Sequence, residues 1–208
     1  MLSVTHVSEP HSAIICGQTG CGKTQFVLDE LLHPERGSYR NAFDFVFILC
    51  PTWKRNRTYL DRLWLWRGPH ASRFYFIEPG ERLHDWLRLL FSLYADTPTL
   101  YIVDDMSASR ALTKKKDMLS ELAFSGRHAK QSVWVLVQKY NTVCKDLREQ
   151  TKWVALFHCK DRHSFTDALD ENDVVPHGLR SSLCTSLAEA KHTKLMLKTD
   201  QPSAYAIC

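Results

Sequence analysis

The chain has 208 residues, with 27 Lys and Arg against 23 Asp and Glu, so its formal net charge is +4 when histidines are neutral. This length is enough for one sizeable hydrophobic core, but too short for a motor domain plus a second large enzyme domain. The small positive charge permits an anionic partner without requiring one. We therefore expect a single domain over residues 1–208.

The cysteines and the amino terminus argue against several other classes of protein. The seven cysteines are odd in number and contain no Cys-x-x-Cys pair, which disfavours a disulfide framework and a zinc ribbon. The first ten residues lack a basic region followed by an apolar run, and no apolar run approaches the roughly 20 residues that a membrane span requires. We expect a soluble, intracellular protein that does not contact a membrane.

Short apolar runs rich in Val, Ile, Phe and Trp recur along the chain and predict buried parallel strands. Between them lie stretches with apolar residues three and four positions apart, which is typical of helices. This alternation indicates an α/β fold with a mainly parallel sheet covered on both faces. The predicted strands are residues 13–16, 43–50, 74–77, 100–103, 133–137 and 153–157, and the predicted helices are residues 26–32, 83–94 and 118–124.

The pattern weakens towards the carboxyl terminus, from residue 161 onwards. A helix is expected around residues 179–190, followed by a β-hairpin formed by residues 194–198 and 204–207. The turn of this hairpin contains Asp200-Gln201-Pro202. The core of the domain is therefore expected over about residues 11–160, with a less regular part over residues 161–208.

A glycine-rich segment follows the first predicted strand directly and reads Gly-Gln-Thr-Gly-Cys-Gly-Lys-Thr. Its glycines allow a loop whose N–H groups turn inward on phosphate oxygens, and a helix beginning near Lys23 directs the positive end of its dipole at the same anion. Lys23 can then reach the β- and γ-phosphates, and the Thr24 hydroxyl can ligate Mg²⁺. The pattern predicts a nucleotide-binding P-loop made of Gly17, Gln18, Thr19, Gly20, Cys21, Gly22, Lys23 and Thr24.

Two other interpretations apply to parts of this segment. An ordinary glycine-rich turn between a strand and a helix would not require Lys-Thr at the start of the helix. Cys21 has the chemistry of a nucleophile, but no His or Asn is assignable as its base, and this position of the loop accepts any small residue. We interpret Cys21 as a bystander.

Polar side chains end two later apolar runs. Residues 100–105 end in Asp104 and Asp105, which places two carboxylates at the carboxyl edge of a parallel sheet beside the P-loop. We expect Asp104 to hold Mg²⁺, directly or through water, and Asp105 to polarise the attacking water. Residues 132–138 end in Gln138, whose amide can donate to the γ-phosphate and accept from that water. The alternative for each side chain is a polar strand end that meets solvent.

Five segments between residues 13 and 160 occur in an order that a P-loop alone would not require. They are residues 17–24; Pro51-Thr52-Trp53 with Asn56 and Tyr59; Ile102-Val103-Asp104-Asp105; Gly126-Arg127-His128; and Gln138-Lys139-Tyr140 followed by Asp146-Leu147-Arg148. This ordered set resembles the genome-packaging ATPases of poxviruses, of other large double-stranded DNA viruses and of Polinton-like elements, within the FtsK–HerA superfamily.

The resemblance implies a RecA-like core that assembles into a ring of five or six subunits, hydrolyses ATP with Mg²⁺ and drives double-stranded DNA into a preformed capsid. It also implies a capsid portal or vertex protein as partner, and a place at the assembling virion in an infected cell. In such rings each ATP lies at a subunit boundary, where an arginine of the neighbour compensates γ-phosphate charge in the transition state. Arg127 is the first candidate for that arginine, and Arg148 is the second.

Two features depart from the family pattern. Superfamily members commonly carry Asp-Glu where this chain has Asp104-Asp105. The expected base is thus one methylene shorter, and the water would have to lie closer to the strand. The chain also has no room for the nuclease domain of other packaging motors, so we expect that cutting of the genome belongs to another protein or is not needed.

Basic side chains in two connections are candidates for contacts with DNA phosphates. Lys114-Lys115-Lys116, with Arg110 nearby, follow the acidic strand, and Lys139 and Lys145 lie in the following connection. Such point charges give binding that is independent of sequence and sensitive to salt. A solvated loop is the alternative for any single lysine.

The tryptophans divide into two groups. The segment Trp53-Lys54-Arg55-Asn56-Arg57 mixes a ring with basic side chains, as some nucleic-acid surfaces do. Trp64, Trp66 and Trp86 are expected in the core or in a subunit interface. None of the ten histidines has the spacing of a metal cluster, so we expect no metal other than Mg²⁺.

Two further functions fit part of the sequence. A small-molecule kinase would need an acceptor pocket and an arginine-rich lid, for which Arg55, Arg57 and Arg62 are available. It leaves Gln138 and the Gly-Arg-His segment unexplained. A nucleotide-binding DNA scaffold with weak turnover would follow if Asp105 replaces Glu poorly.

Overall fold

The computed structural model describes residues 9–80, 82–105 and 118–208. Within these ranges the strands are β1 Ser12–Cys16, β2 Phe45–Leu49, β3 Phe74–Ile77, β4 Thr99–Asp104, β5 Gln131–Val137, β6 Thr151–Phe157, β7 Lys194–Lys198 and β8 Ala204–Ile207. They form one sheet in the order β3-β2-β4-β5-β1-β6-β7-β8. The first six strands pair in parallel, and β7 and β8 are added antiparallel at one edge.

Helices connect the strands and cover both faces of the sheet. The first helix follows the P-loop as α1 Lys23–Gln25 and continues as a π-helical segment, Phe26–Leu31. The others are α2 Arg57–Leu60, α3 Leu83–Leu93, α4 Met118–Ser125, α5 Lys145–Glu149, α6 Arg162–Asn172 and α7 His177–Glu189. In the described part of the chain, no helix combines the length and the apolar character needed to cross a bilayer.

The core has two layers because successive side chains of a strand point to opposite faces of the sheet. In β1, Ile14 packs with residues of α3 to α7, whereas Ile15 packs with residues of the helix that follows the P-loop. Both clusters consist of almost completely buried side chains. Burial on both faces explains why the strands are continuous apolar runs in the sequence.

The structure confirms the predicted α/β fold, with a mainly parallel sheet flanked by helices and a carboxyl-terminal hairpin. All eight predicted strand segments are strands, with small differences at their ends. The sequence pattern does not predict α6, because most of its residues are polar. Its apolar positions, Phe165, Ala168 and Leu169, have helical spacing and are buried. Asp161 caps this helix by accepting a hydrogen bond from the N–H of His163.

The carboxyl-terminal strands pack into the same core as the P-loop strand. In β7, Leu195 and Leu197 are completely buried in the layer that contains α3 to α7. On the other face, Lys194 pairs with Glu30 at 2.9 Å and lies 4.6 Å above the ring centre of Phe26. These contacts attach β7 to the helix that follows the P-loop.

Leu197→Ala tests this shared core. It removes a side chain that is 0% exposed, so we expect the free energy of unfolding to fall by about 2–5 kcal/mol. Ile207→Ala, on the edge strand β8, is the control, because Ile207 is 44% exposed and its loss should cost about 1 kcal/mol or less. Urea unfolding followed by circular dichroism measures both. Equal losses in the two variants would contradict a core that includes β7.

Candidate functional site

The P-loop lies at the carboxyl edge of the sheet, where β1 ends between β5 and β6. The N–H of Gly17 donates to the carbonyl oxygen of Val137 at 3.1 Å, and the N–H of Gln18 donates to that of His158 at 3.2 Å. The loop is thus fixed to the strand ends on both sides. It can hold a ligand in a defined position relative to the neighbouring strands.

Two glycines of the loop have backbone conformations that other residues rarely adopt. Gly20 has φ 78° and Gly22 has φ 104°, in the left-handed region where a Cβ is disfavoured. No atom lies within 4 Å of the place where a Cβ of Gly20 would be, whereas a Cβ on Gly22 would lie 2.3 Å from Nδ1 of His192. Neither glycine donates its N–H to a backbone carbonyl of the described residues. The loop therefore presents N–H donors, as an anion site requires.

Lys23 places a cation over the loop. Its Nζ donates to the carbonyl oxygens of Gly17 at 2.6 Å and Gln18 at 3.0 Å. Burial raises the pKa of the nearby Cys21 thiol, so this thiol remains protonated at neutral pH and is a poor nucleophile. That result supports the interpretation of Cys21 as a bystander.

A buried carboxylate lies next to the loop at the end of β4. Asp104 is 4% exposed, and its Oδ2 accepts hydrogen bonds from the hydroxyls of Thr24 at 3.0 Å and Tyr59 at 2.6 Å. Burial raises the pKa of Asp104, and the hydrogen bonds from Tyr59 and Thr24 oppose that rise. Thr24 and Asp104, which the sequence predicts as ligands of Mg²⁺, are thus in direct contact.

The next carboxylate and the amide at the end of β5 are also joined. Nε2 of Gln138 donates to Oδ1 of Asp105 at 3.2 Å, and both side chains are exposed. Asp105 has φ 54°, a left-handed conformation that Asp tolerates better than most residues. These groups share a cleft of about 370 Å³, whose lining residues are Thr19, Gly20, Gly22, Lys23, Thr24, Gln25, Asn56, Thr58, Asp104, Asp105, Leu136, Gln138, Lys191 and His192.

The groups in this cleft fit a nucleotide with its divalent cation. The loop supplies N–H donors and the Lys23 ammonium for phosphate oxygens. Thr24 and Asp104 supply the hydroxyl and carboxylate oxygens that Mg²⁺ prefers. Among the described residues, no group of three or more His, Cys, Asp and Glu side chains could hold another metal ion.

Sequence reasoning assigned no role to Tyr59, Lys191 or His192. Tyr59 belongs to the segments that resemble packaging ATPases, but nothing in its neighbourhood indicates a bond to Asp104. Lys191 and His192 come from the turn between α7 and β7, and His192 contacts the carbonyl oxygen of Cys21, which is 171 positions earlier in the chain. No sequence signal indicates these two contacts.

The structure places Arg127 far from the P-loop of its own chain. Arg127 lies in the connection before β5, at the amino edge of the sheet, whereas Gln138 follows the other end of this strand. The seven residues of β5 span about 23 Å at roughly 3.3 Å each. Arg127 is exposed, and it forms no ion pair with a described residue. Its side chain is therefore available to another molecule at that edge.

Arg148 is held within the chain. Its Nη1 lies 2.5 Å from Oε1 of Glu171, its guanidinium lies 5.2 Å from the ring centre of Tyr140, and its side chain is only 14% exposed. A contact between Arg148 and a neighbouring subunit would have to break this ion pair.

The structure describes only some of the basic residues expected to contact DNA. Lys114-Lys115-Lys116 and Arg110 lie outside the described residues. Lys139 and Lys145 are exposed and form long ion pairs of 3.6 Å with Asp161 and Glu149. Pairs of this kind at the surface contribute little, so both lysines can exchange their partners for phosphates.

The tryptophans differ in burial. Trp53 stacks on Trp66 and packs against Phe76, so its ring is part of a cluster beside the sheet. Trp64 and Trp66 pack against the core layer that contains the P-loop helix, as expected. Trp86, in contrast, is 55% exposed on α3 and is not a core residue of this chain.

Comparisons with known proteins show which structures share this fold. No protein-family model matches the sequence, and no curated protein matches it. Solved structures do match: B204, the DNA-packaging ATPase from Sulfolobus turreted icosahedral virus, has a TM-score of 0.67 and 10% sequence identity, over 96% of this chain and 97% of that chain.

Two further structures give the same result. The genome-packaging NTPase B204 from Sulfolobus turreted icosahedral virus 2, in complex with ATP-γS, has a TM-score of 0.63 and 10% identity, over 95% of this chain and 96% of that chain. EssC ATPases 2 and 3 from Geobacillus thermodenitrificans have a TM-score of 0.64 and 12% identity, over 97% of this chain but only 39% of that chain. At these identities the likeness shows that this chain shares the fold of these proteins.

Proposed function

We propose that this chain is an ATPase that moves double-stranded DNA and packages a viral genome into a preformed capsid. The observation that carries this proposal is the contact of the P-loop hydroxyl of Thr24 with the buried carboxylate of Asp104 at 3.0 Å. It occurs in a fold that matches B204 over nearly the whole of both chains. The ordered motifs that resemble viral packaging ATPases support the same function.

In this proposal the P-loop residues bind the triphosphate of ATP. The loop N–H groups and Lys23 bind the β- and γ-phosphates, and Lys23 exchanges its bonds to the loop carbonyls for phosphate oxygens. Thr24 and Asp104 hold Mg²⁺, which neutralises charge on the phosphates when it is bound. Tyr59 keeps the Asp104 carboxylate oriented by its hydrogen bond of 2.6 Å.

Asp105 and Gln138 position the attacking water. Asp105 accepts a proton from this water, and the Gln138 amide, which donates to Asp105 at 3.2 Å, holds the carboxylate towards the cleft. Asp105 is one methylene shorter than the Glu common in the superfamily. Asp105 has a left-handed backbone, with φ 54°. Its short side chain therefore projects in a different direction from that of a residue in the extended conformation of a strand.

The ring proposed for this chain brings Arg127 of one subunit to the ATP of the next. Arg127 is exposed at the sheet edge opposite its own P-loop, so it can complete a site only in a neighbour. Arg148 is the weaker candidate because Glu171 already pairs with it. The proposed ring has five or six subunits, with DNA phosphates contacted by exposed lysines and with a capsid portal or vertex protein as partner in the infected cell.

The alternative of a small-molecule kinase has less support in the structure. Arg62, one of the arginines available for a lid, donates through Nε and Nη2 to both carboxylate oxygens of Asp29, at 2.7 and 2.5 Å. This bidentate ion pair is a strong one, and Arg62 would have to break it to act in a lid.

DNA-stimulated ATP hydrolysis is the test of the proposed function. We expect the wild-type chain with Mg²⁺ to release free phosphate faster when long double-stranded DNA is present, and Lys23→Ala to abolish release while remaining folded. Lys160→Ala, which changes an exposed lysine outside the cleft, should leave release unchanged. Labelled γ-phosphate followed by thin-layer chromatography separates the alternatives: phosphate on an acceptor indicates a kinase, and no turnover indicates a scaffold.

Tyr59→Phe tests the role assigned to Tyr59. The change removes only the hydroxyl that binds Asp104, and loss of a residue that orients a metal ligand typically weakens metal binding by about 10–100-fold. We expect the Mg²⁺ concentration for half-maximal hydrolysis to rise by about tenfold or more. Tyr75→Phe, on β3 and exposed, is the matched control. An unchanged Mg²⁺ requirement in Tyr59→Phe would show that the hydroxyl does not orient a metal ligand.

Mixed assemblies test whether Arg127 acts on a neighbour. Lys23→Ala subunits have a defective P-loop and an intact Arg127, and Arg127→Ala subunits have the reverse. Arginines that act across a subunit boundary contribute about 10³-fold or more, so each variant alone should be inactive, and mixtures should regain DNA-stimulated phosphate release. If demonstrably mixed assemblies stay inactive, and Arg148→Ala complements Lys23→Ala instead, the role belongs to Arg148.

A further inference from the structure

We propose that the turn formed by Lys191 and His192 is the subsite for the nucleoside half of the nucleotide, with His192 contacting the ribose. This inference rests on the proposed function, because it concerns the same cleft. It adds a ligand contact from the carboxyl-terminal part of the chain, which none of the P-loop motifs includes.

The turn is in direct contact with the phosphate-binding loop. Nδ1 of His192 lies 3.1 Å from the carbonyl oxygen of Cys21, and only the absence of a Cβ at Gly22 leaves room for the imidazole ring. His192 has φ 71°, a strained conformation for this residue type. The other side of its ring is exposed in the cleft that contains Lys23 and Thr24. A nucleotide in this cleft must pass beside the ring.

The turn is also held firmly in place. The N–H of Thr193 donates to the carbonyl oxygen of Ala190 at 3.3 Å, which closes the turn. Immediately after it, the buried Lys194 pairs with Glu30 and lies over the ring of Phe26, both in the segment that follows α1. The turn and the P-loop helix are therefore fixed relative to each other, as a preformed ligand site requires.

Sheet order determines which end of the nucleotide the turn meets. Asp104 ends β4 and Gln138 follows β5. These two strands lie on one side of β1, whereas β6 and β7 lie on the other side. The γ-phosphate and Mg²⁺ belong on the side of the carboxylate and the amide. The triphosphate therefore runs across the end of β1, and its α-phosphate and ribose leave the loop on the side of β7, where the turn is.

The hydrogen bond of His192 defines what its free nitrogen can bind. A carbonyl oxygen only accepts hydrogen bonds, so Nδ1 must carry a hydrogen to bond with Cys21. Nε2 of the neutral ring is then an acceptor, which suits a ribose hydroxyl. Lys191 is exposed in the same cleft without an ion-pair partner among the described residues, and it adds a cation there.

A comparison of ligands with and without a nucleoside tests the subsite. Isothermal titration calorimetry with Mg²⁺ measures the binding of ATP, ADP and inorganic tripolyphosphate to the wild-type chain and to His192→Gly. Glycine adopts φ 71° without strain, so this change removes the ring and keeps the turn. His192→Asn, which also tolerates this conformation, is the second variant, and His163→Ala, an exposed histidine on α6, is the control.

We expect His192→Gly to weaken ATP and ADP by about fivefold to tenfold, the effect of losing one or two hydrogen bonds, and to leave tripolyphosphate affinity within about twofold of wild type. Equal weakening of all three ligands would overturn the proposal, because it would mean that the ring only supports the P-loop. Unchanged binding of all three ligands would also overturn it. If the wild-type chain binds neither ATP nor tripolyphosphate, the proposed function itself is contradicted. This result can be told apart from the two outcomes above, because those concern the variant.

Discussion

The site depends on one buried carboxylate that would be unfavourable without its partners. Asp104 is almost completely buried, and an isolated charge there would be expensive. Burial raises the pKa of its carboxyl group, and the hydroxyls of Tyr59 and Thr24, which donate to the same oxygen, oppose that rise together with the nearby Lys23 ammonium. The opposing groups come from the P-loop and from α2, whereas the carboxylate itself ends β4. Together they fix the P-loop and the end of β4 relative to each other.

The parallel sheet makes this convergence possible. Because β4, β5 and β1 are adjacent and parallel, their carboxyl ends meet at one edge, and the loop after β1 lies beside the residues after β4 and β5. The same topology puts Arg127 at the opposite edge, since it precedes β5. The proposed nucleotide site therefore lies at one edge of the sheet, and an exposed arginine lies at the other. That polarity suits a head-to-tail ring, in which each interface joins two different edges.

The strands β7 and β8 add a third structural element to the site, besides the P-loop and the ends of β4 and β5. They extend the sheet beyond β6 and bring the turn before β7 to the P-loop. The ion pair of Lys194 with Glu30 and the buried leucines of β7 hold this extension against the core. The carboxyl-terminal part is therefore a wall of the cleft.

The sequence by itself determined the strands and the P-loop, because local patterns of residues specify both. Strands buried on both faces must be continuous apolar runs, and the loop needs glycines where the backbone is left-handed, as at Gly20 and Gly22. Thr24 and Asp104 were predictable as neighbours because strand ends of a parallel sheet converge. Only the tertiary structure decided the contacts of Tyr59 and His192, which join residues 45 and 171 positions apart. The local sequence around Tyr59 and His192 does not predict these contacts. The role of a phenol or an imidazole depends on the group that tertiary packing places beside it.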